Sequence, residues 1–193
     1  MTTRRDSNQR THQTAVVVIP PKDVWPPIQA IRQHYDRQFR RWMPHITLLY
    51  PFRPREPFDA DAPAMGAAAA TRKPFEIQLV QFRHFRHAPG SFTLWLAPEP
   101  IEPLLELQAA LQRTVPDFDE QSRHPGGFNP HLSVGQAHGP DQLAARKAEL
   151  QAGFAPVTFV VDRVWLIWRG PKTDDVFVPD RSLLLGQPAA NSV

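Results

Sequence analysis

The sequence predicts a single domain of mixed helices and strands in which one structural unit occurs twice. The stretch Pro44-His45-Ile46-Thr47-Leu48 returns as Pro130-His131-Leu132-Ser133-Val134, and the two histidines are 86 residues apart. An apolar run and then a helix-like stretch precede each copy, and an interval with a second apolar run follows it. The order strand, helix, histidine strand, helix, strand therefore occurs twice, which is the mark of an internal repeat.

Length and composition predict one globular domain and exclude several kinds of site. The 193 residues are enough for one domain with a real core, and no apolar stretch approaches the ~20 residues of a membrane span. A formal net charge of +3 suits a small or single-stranded phosphorylated ligand better than a long polyanion. With no cysteine, disulfides, thiolate metal sites and a catalytic thiol are excluded. We expect a cytoplasmic monomer without a membrane or protein partner.

The other elements follow from local patterns. Residues 1–13 and 186–193 are predicted to be disordered polar tails that flank one domain over 14–185. Arginines 32, 37, 40 and 41, on the first predicted helix and directly after it, form a polar face expected to be solvated. The predicted elements are a strand over 14–19, helices over 24–39 and 59–72, a bulged hairpin of 75–85 with 91–97, helices over 101–115 and 141–151, and strands over 156–168 and 176–185.

The two repeated motifs place the same chemical groups on one face of a strand. Because side chains alternate along a strand, His45 and Thr47 share one face while the aliphatic residues beside them share the other. His131 and Ser133 repeat this arrangement. Each copy thus presents an imidazole with a hydroxyl about 7 Å along the same side, at ~3.3 Å per residue. One such motif would be a weak signal, but two matched copies favour a shared site.

At these residues the chain resembles the 2H phosphoesterases, a family named for two His-x-Ser/Thr motifs that includes RNA 2′,3′-cyclic phosphodiesterases and 2′-5′ RNA ligases. The resemblance covers nearly the whole chain apart from its tails. It implies a bilobal α+β fold, a pseudo-twofold duplication with two antiparallel sheets, flanked by helices, on either side of a central cleft. It also implies that His45, Thr47, His131 and Ser133 are the catalytic residues. Some members carry a basic residue shortly after the second motif, where residues 135–137 here read Gly-Gln-Ala.

The chemistry of the family explains why these side chains occur in pairs. Opening a cyclic phosphate requires a base that takes a proton from water and an acid that protonates the departing ribose oxygen, on opposite sides of phosphorus. Histidine can take either role near neutral pH, and hydroxyls can donate to the non-bridging oxygens. We therefore expect hydrolysis of 2′,3′-cyclic phosphate or 2′-5′ phosphodiester bonds in RNA ends or small nucleotides, with ligation as the reverse reaction. No cofactor or metal is required, and the sequence does not say which histidine is the acid.

Two loops next to the motifs supply further candidates for substrate contacts. The loop after the first motif has two prolines in four residues, so it is stiff, and an aromatic side chain there could stack on a base while an arginine meets phosphate. The loop over 117–130 delivers the chain into the second motif. The candidates are Tyr50, Phe52, Arg53, Arg123, His124 and Phe128.

Three alternatives remain open at this point. A metal hydrolase could use His45, His131 and a further His or Asp, although the sequence has no His-Glu-x-x-His or similar close ligand spacing. A non-catalytic module that binds nucleotides or RNA ends would keep the same donors. Finally, both histidines could be hydrogen-bonded core residues of two repeated strands.

Overall fold

A computed structural model of the chain describes residues 9–123 and 126–186. Within these residues it has four α-helices and eight strands. In chain order they are β1 (Thr14–Val18), α1 (Trp25–Tyr35), β2 (Ile46–Leu49), α2 (Phe58–Ala70), β3 (Phe75–Ala88), β4 (Ser91–Glu99), α3 (Glu102–Thr114), β5 (Leu132–His138), α4 (Pro140–Gly153), β6 (Val157–Val161), β7 (Arg163–Trp168) and β8 (Val178–Leu184).

The strands form two four-stranded sheets in which every neighbouring pair is antiparallel. The strand orders are β2-β1-β7-β8 and β5-β4-β3-β6. The two orders correspond position by position: β2 matches β5 at one edge, β1 matches β4, β7 matches β3, and β8 matches β6. The predicted fold class is confirmed: an α+β protein of two duplicated, pseudo-twofold lobes, each with an antiparallel sheet and flanking helices, with a cleft between them.

The sheets exchange strands. β3 leaves the first unit and pairs with β4 of the second, while β7 leaves the second unit and pairs with β1 of the first. The prediction of one strand over 156–168 is therefore wrong, because the chain changes sheet at the exposed Asp162 and divides into β6 and β7. Phe159 and Leu166, on either side of this point, are buried in the same core, so the apolar pattern is continuous and does not show the change.

The first helix is shorter than predicted, for a reason that matters to the site. α1 ends at Tyr35 and not at residue 39, because Asp36 turns out of the helix. The Asp36 carboxylate accepts from Arg32 at 2.9 Å, and both side chains are almost fully buried. Arg32 also donates to the Trp42 carbonyl at 2.9 Å. The expectation that Arg32 lies on a solvated face is therefore wrong: it is a buried ion-pair residue.

The remaining predicted elements agree with the structure. The hairpin is present as β3 and β4, with its bulge at the register shift between Leu79 and Gln81. The strongly amphipathic helix predicted over 101–115 is α3, and the helices over 59–72 and 141–151 are α2 and α4. No helix in the described part of the chain is both long enough and apolar enough to cross a membrane.

Part of the predicted amino-terminal tail belongs to the folded unit. Thr11 and Phe52 exchange backbone hydrogen bonds at 2.7 and 3.2 Å, and Arg10 forms an ion pair with Glu120 at 3.0 Å. Residues 9–13 therefore make contacts with the folded unit and are not a disordered tail. Positions 1–8 and 187–193 of the two predicted tails lie outside the described residues.

Candidate active site

The two histidine motifs meet at corresponding edges of the two sheets. β2 and β5 are edge strands, and they contact each other across the boundary between the lobes. The aliphatic residues of both motifs are fully buried, whereas His45, Thr47, His131 and Ser133 are only half-buried. The alternation predicted from the sequence is thus present in both copies.

Both imidazoles are held in the same way. The Nδ1 atom of His45 is 2.7 Å from the carbonyl oxygen of Met43, and Nδ1 of His131 is 2.8 Å from the carbonyl oxygen of Asn129. Because a carbonyl oxygen can only accept, Nδ1 carries the hydrogen in both rings. In the neutral form of each ring the lone pair is therefore on Nε2. His45 and His131 therefore have the same tautomer, as well as the same sequence pattern around them.

His45 lies in an aromatic stack that sequence reasoning missed. Its ring stacks on Trp42 at 4.5 Å between centroids with 16° between planes, and Trp42 in turn stacks on Phe177 at 3.7 Å. Tyr50 meets Trp42 edge-on at 5.5 Å. The position of Trp42 just before the motif was a signal, but Phe177 comes from a distant loop and had none.

The surroundings of His45 favour its neutral form. Burial lowers the pKa of His45 to about 4, the charges of Arg32 and His131 act in the same direction, and the hydrogen bond to Met43 and the charge of Asp36 oppose them. His45 is therefore uncharged at neutral pH.

His131 packs against a second aromatic pair. Its ring meets Phe85 edge-on at 4.8 Å and Trp95 at 5.8 Å, and Phe85 and Trp95 stack on each other at 4.8 Å. Ser133 lies opposite Trp95 in the sheet, so their side chains share a face. The buried Trp95 indole nitrogen has no hydrogen-bond partner among the described residues. It is a candidate donor to a ligand.

The residues after the second motif join the lobes. A Cβ at Gly135 would lie 2.5 Å from Cβ of Tyr35, at the end of α1. Gln136 donates to Asp36 at 3.3 Å and accepts from the backbone N–H of Arg37 at 3.0 Å. A side chain therefore has no room at Gly135 unless α1 shifts.

Two of the predicted substrate contacts have other roles. Phe52 is fully buried between Phe58 and Phe118, so the prediction that it stacks on a base is wrong. Arg53 forms an ion pair with Asp61 at 2.5 Å and lies 4.8 Å from the Phe118 ring centroid. Arg53 also lines a cavity of about 970 Å³ whose lining residues include neither histidine.

Of the other predicted substrate contacts that the structure describes, only Tyr50 lies next to a histidine motif. Tyr50 touches Trp42, the ring that stacks on His45, and so belongs to the site's surroundings. Arg123 is exposed and paired with Asp119 at 2.9 Å and Glu120 at 3.7 Å. Phe128 packs against the main core. His124 lies outside the described residues.

Comparison with known proteins identifies the family of the chain. The model of the 2′-5′ RNA ligase superfamily matches residues 20–173, a range that includes both motifs. A protein of Geobacillus kaustophilus (strain HTA426) named "Putative phosphoesterase GK0864" is 27% identical over 159 residues, which are 80% of this chain and 86% of that protein.

Solved structures share the fold. TT0787 of Thermus thermophilus has a TM-score of 0.59 at 23% identity, covering 90% of this chain and 98% of that one. E. coli LigT complexed with 3′-AMP has a TM-score of 0.60 at 16% identity, covering 91% and 99%. LigT complexed with ATP has a TM-score of 0.57 at 15% identity, with the same coverage. The family match over residues 20–173 shows that the chain belongs to the 2′-5′ RNA ligase superfamily, the 2H phosphoesterases.

Proposed function

We propose that the protein is a phosphoesterase that hydrolyses 2′,3′-cyclic phosphate or 2′-5′ phosphodiester bonds of RNA ends or small nucleotides. The observation that carries this proposal is the matched pair of imidazoles, each fixed through Nδ1 to the carbonyl two residues before it. A structural histidine needs no such duplicate, whereas an acid and a base on either side of one phosphorus atom do. The LigT structures with 3′-AMP and ATP support a small nucleotide as ligand.

The surroundings of His45 support one division of roles between the two rings. His45 is neutral at neutral pH, so its Nε2 takes the proton of the attacking water as the new P–O bond forms. His131, protonated at Nε2, gives its proton to the ribose oxygen as the old P–O bond breaks. Thr47 and Ser133 donate hydrogen bonds to the non-bridging oxygens. The roles exchange in the ligating direction.

The two alternative functions, a metal hydrolase and a non-catalytic binding module, give different results in an activity assay. No three His, Cys, Asp or Glu side chains within residues 9–123 and 126–186 are grouped so as to hold a metal ion. A metal hydrolase would lose its activity in a chelator, and a binding module would hold nucleotide without turnover. Both alternatives are therefore tested together with the proposal.

The first experiment measures hydrolysis of adenosine 2′,3′-cyclic phosphate in excess EDTA. We expect His45→Ala and His131→Ala each to lower kcat by about 10²–10⁴-fold, because each removes one proton-transfer group. His138→Ala is the matched control, since His138 is an exposed histidine at the end of β5; we expect less than a twofold effect. Loss of wild-type activity in EDTA, or equal activity in all three variants, would contradict the proposal.

A second substrate tests the division of roles. The leaving group of a 4-nitrophenyl phosphodiester needs no proton, so it makes the acid dispensable but not the base. We expect His131→Ala to keep most of its activity on this substrate while His45→Ala remains inactive. The opposite result would reverse the assignment and leave the reaction itself unchanged.

A further inference from the structure

The two groups that support the His45 ring lie in an irregular part of the chain. Trp42 stacks on His45 at 4.5 Å, and the next residue, Met43, provides the carbonyl oxygen that is 2.7 Å from the His45 Nδ1 atom. Both belong to the segment 36–45, which is neither helix nor strand. The aromatic rings that contact His131, by contrast, come from β3 and β4, which pair with each other in a sheet.

A buried guanidinium holds the peptide between Trp42 and Met43. Arg32 donates through Nη2 to the carbonyl oxygen of Trp42 at 2.9 Å. That carbonyl belongs to the planar peptide that joins the two residues, so one hydrogen bond fixes the plane next to both supports of His45. Arg32 is 2% exposed. Burial in a low dielectric makes a charge-assisted hydrogen bond of this kind stronger than it would be in water.

Asp36 holds Arg32 in place. Its carboxylate oxygen Oδ2 accepts from Nε of Arg32 at 2.9 Å and lies 2.9 Å from Nη2. The other oxygen, Oδ1, accepts from the backbone N–H of Gln38 at 2.9 Å and from the side chain of Gln136 on β5 at 3.3 Å. The pair is therefore a fixed point, and it is tied to the strand that carries His131.

Stability alone does not account for a pair that is buried this deeply. The cost of removing two charges from water offsets their attraction, and neutral replacements of buried pairs often leave stability unchanged or raise it. The pair of Arg53 and Asp61 is also mostly buried, but it lies beside a cavity whose lining residues include neither histidine. Arg32 differs from Arg53 because it also donates to the backbone next to His45. Its charge is one of the causes that lower the pKa of His45.

We propose that Arg32 is a positioning residue for His45, which acts through the Trp42 carbonyl and is held in place by Asp36. This inference rests on the proposed function, in which His45 is the base, and adds to it a residue that is too buried to touch the substrate. By fixing the peptide between Trp42 and Met43, Arg32 keeps the His45 ring in one orientation, with Nδ1 on the Met43 carbonyl and Nε2 on the opposite side of the ring.

A double substitution removes the pair without leaving a buried charge. The pair variant, Arg32→Met with Asp36→Asn, has neither charge, and the asparagine keeps an Oδ1 acceptor for the backbone N–H of Gln38. We expect this variant to fold, because both charges are removed together. We expect its kcat on adenosine 2′,3′-cyclic phosphate to fall about tenfold or more while KM changes less than about twofold, because a misplaced base slows the reaction without removing a contact to the substrate.

The matched control makes the same change in the other buried pair. The control variant, Arg53→Met with Asp61→Asn, removes one arginine and one aspartate charge beside the cavity that contains neither histidine. We expect its kcat and KM to match those of the wild type. A purely structural role of Arg32 would lower Tm in the pair variant and leave kcat unchanged, as in the control variant.

An NMR titration of the imidazoles provides a measurement that needs no turnover. We expect the pKa of His45 to rise from about 4 toward 6.5 in the pair variant. The charge of Arg32 lowers this pKa more than the charge of Asp36 raises it, and a ring that is held less firmly is better hydrated. The control variant should keep the wild-type pKa of His45.

Two further substitutions test the route from Arg32 to the ring. Trp42→Leu removes the stacked ring and keeps the backbone carbonyl, so it should also lower kcat. Adding it to the pair variant should lower kcat by no more than about a further twofold, because both changes act on the same support of His45. Arg32→Lys keeps the charge, but lysine lacks the planar fork that reaches Asp36 and the Trp42 carbonyl together, so kcat should fall about threefold. This single variant decides the question if the pair variant does not fold.

Three results would overturn the positioning role. They are a wild-type kcat with a wild-type pKa of His45 in the pair variant, losses in the control variant as large as those in the pair variant, and fully additive losses when Trp42→Leu is combined with the pair variant. If the wild type hydrolyses no cyclic phosphate and the pKa of His45 changes in the pair variant alone, the proposed reaction fails while the positioning role stands. If cyclic phosphate is hydrolysed and neither kcat nor the pKa responds to the pair variant, the reaction stands and the positioning role fails.

Discussion

The side chains around His45 fix the position of its ring and influence its pKa. Trp42 covers one face of the imidazole, and Arg32 and Asp36 form a buried pair nearby. The motif itself was predictable because strand alternation fixes which residues share a face. The pair of Arg32 and Asp36 was not, because it depends on where the chain leaves α1, and the spacing of apolar residues continues past that point.

The lowered pKa of His45 predicts how stability depends on pH. The folded protein holds this pKa at about 4, against 6.5 in the unfolded chain. Between these values the unfolded state binds more protons, so the free energy of unfolding falls as the pH drops through this window. We expect the loss of stability between pH 7 and pH 4.5, measured by urea unfolding, to be smaller in His45→Gln than in the wild type. His138→Gln should behave like the wild type, and an equal loss in all three proteins would contradict the assignment.

At the scale of elements, α1 packs against β5 through one close contact, between Tyr35 and Gly135. The hairpin and α3 were predictable from their periodicity, which is local. The packing of α1 on β5 was not, because it joins elements of different lobes. Gly135 makes this contact possible, since Tyr35 occupies the space that a Cβ would need.

We therefore expect Gly135→Ala to lower the free energy of unfolding by about 1–3 kcal/mol, as overpacking does in a core. It should also lower kcat, because β5 carries His131 and Ser133 into the site. Gly153→Ala is the control: a Cβ at Gly153 meets no atom within 4 Å. Urea unfolding and hydrolysis of the cyclic phosphate measure both effects. Equal stability of the two variants would show that α1 can shift away from β5 at no cost.

At the scale of the whole molecule, neither half of the chain completes its own lobe. The sheet with β5 uses one continuous part of the chain, and the other sheet combines β1 and β2 with β7 and β8 from the far end. The repeat predicted the duplication, since each unit has the same order of elements. The strand exchange could not be predicted, because β6 and β7 read as one apolar run.

The exchange of strands between the two sheets predicts that the lobes unfold together. α1 packs on β5 and α3 packs on β2, so each lobe loses contacts when the other opens. We expect tryptophan fluorescence and far-UV circular dichroism to give the same midpoint in urea, as for a two-state transition. The Trp95→Phe variant lacks the tryptophan of the sheet that contains β5, and its fluorescence and circular dichroism should again share one midpoint, shifted from that of the wild type by the loss of packing. Two separated transitions would mean that the lobes are independent.

The backbone that passes from β6 to β7 has one further consequence. Only Asp162 separates the two strands, so a single residue of backbone joins the two sheets at this point. A displacement of one sheet is therefore passed directly to the other, and a substitution at residue 162 can act on both lobes at once.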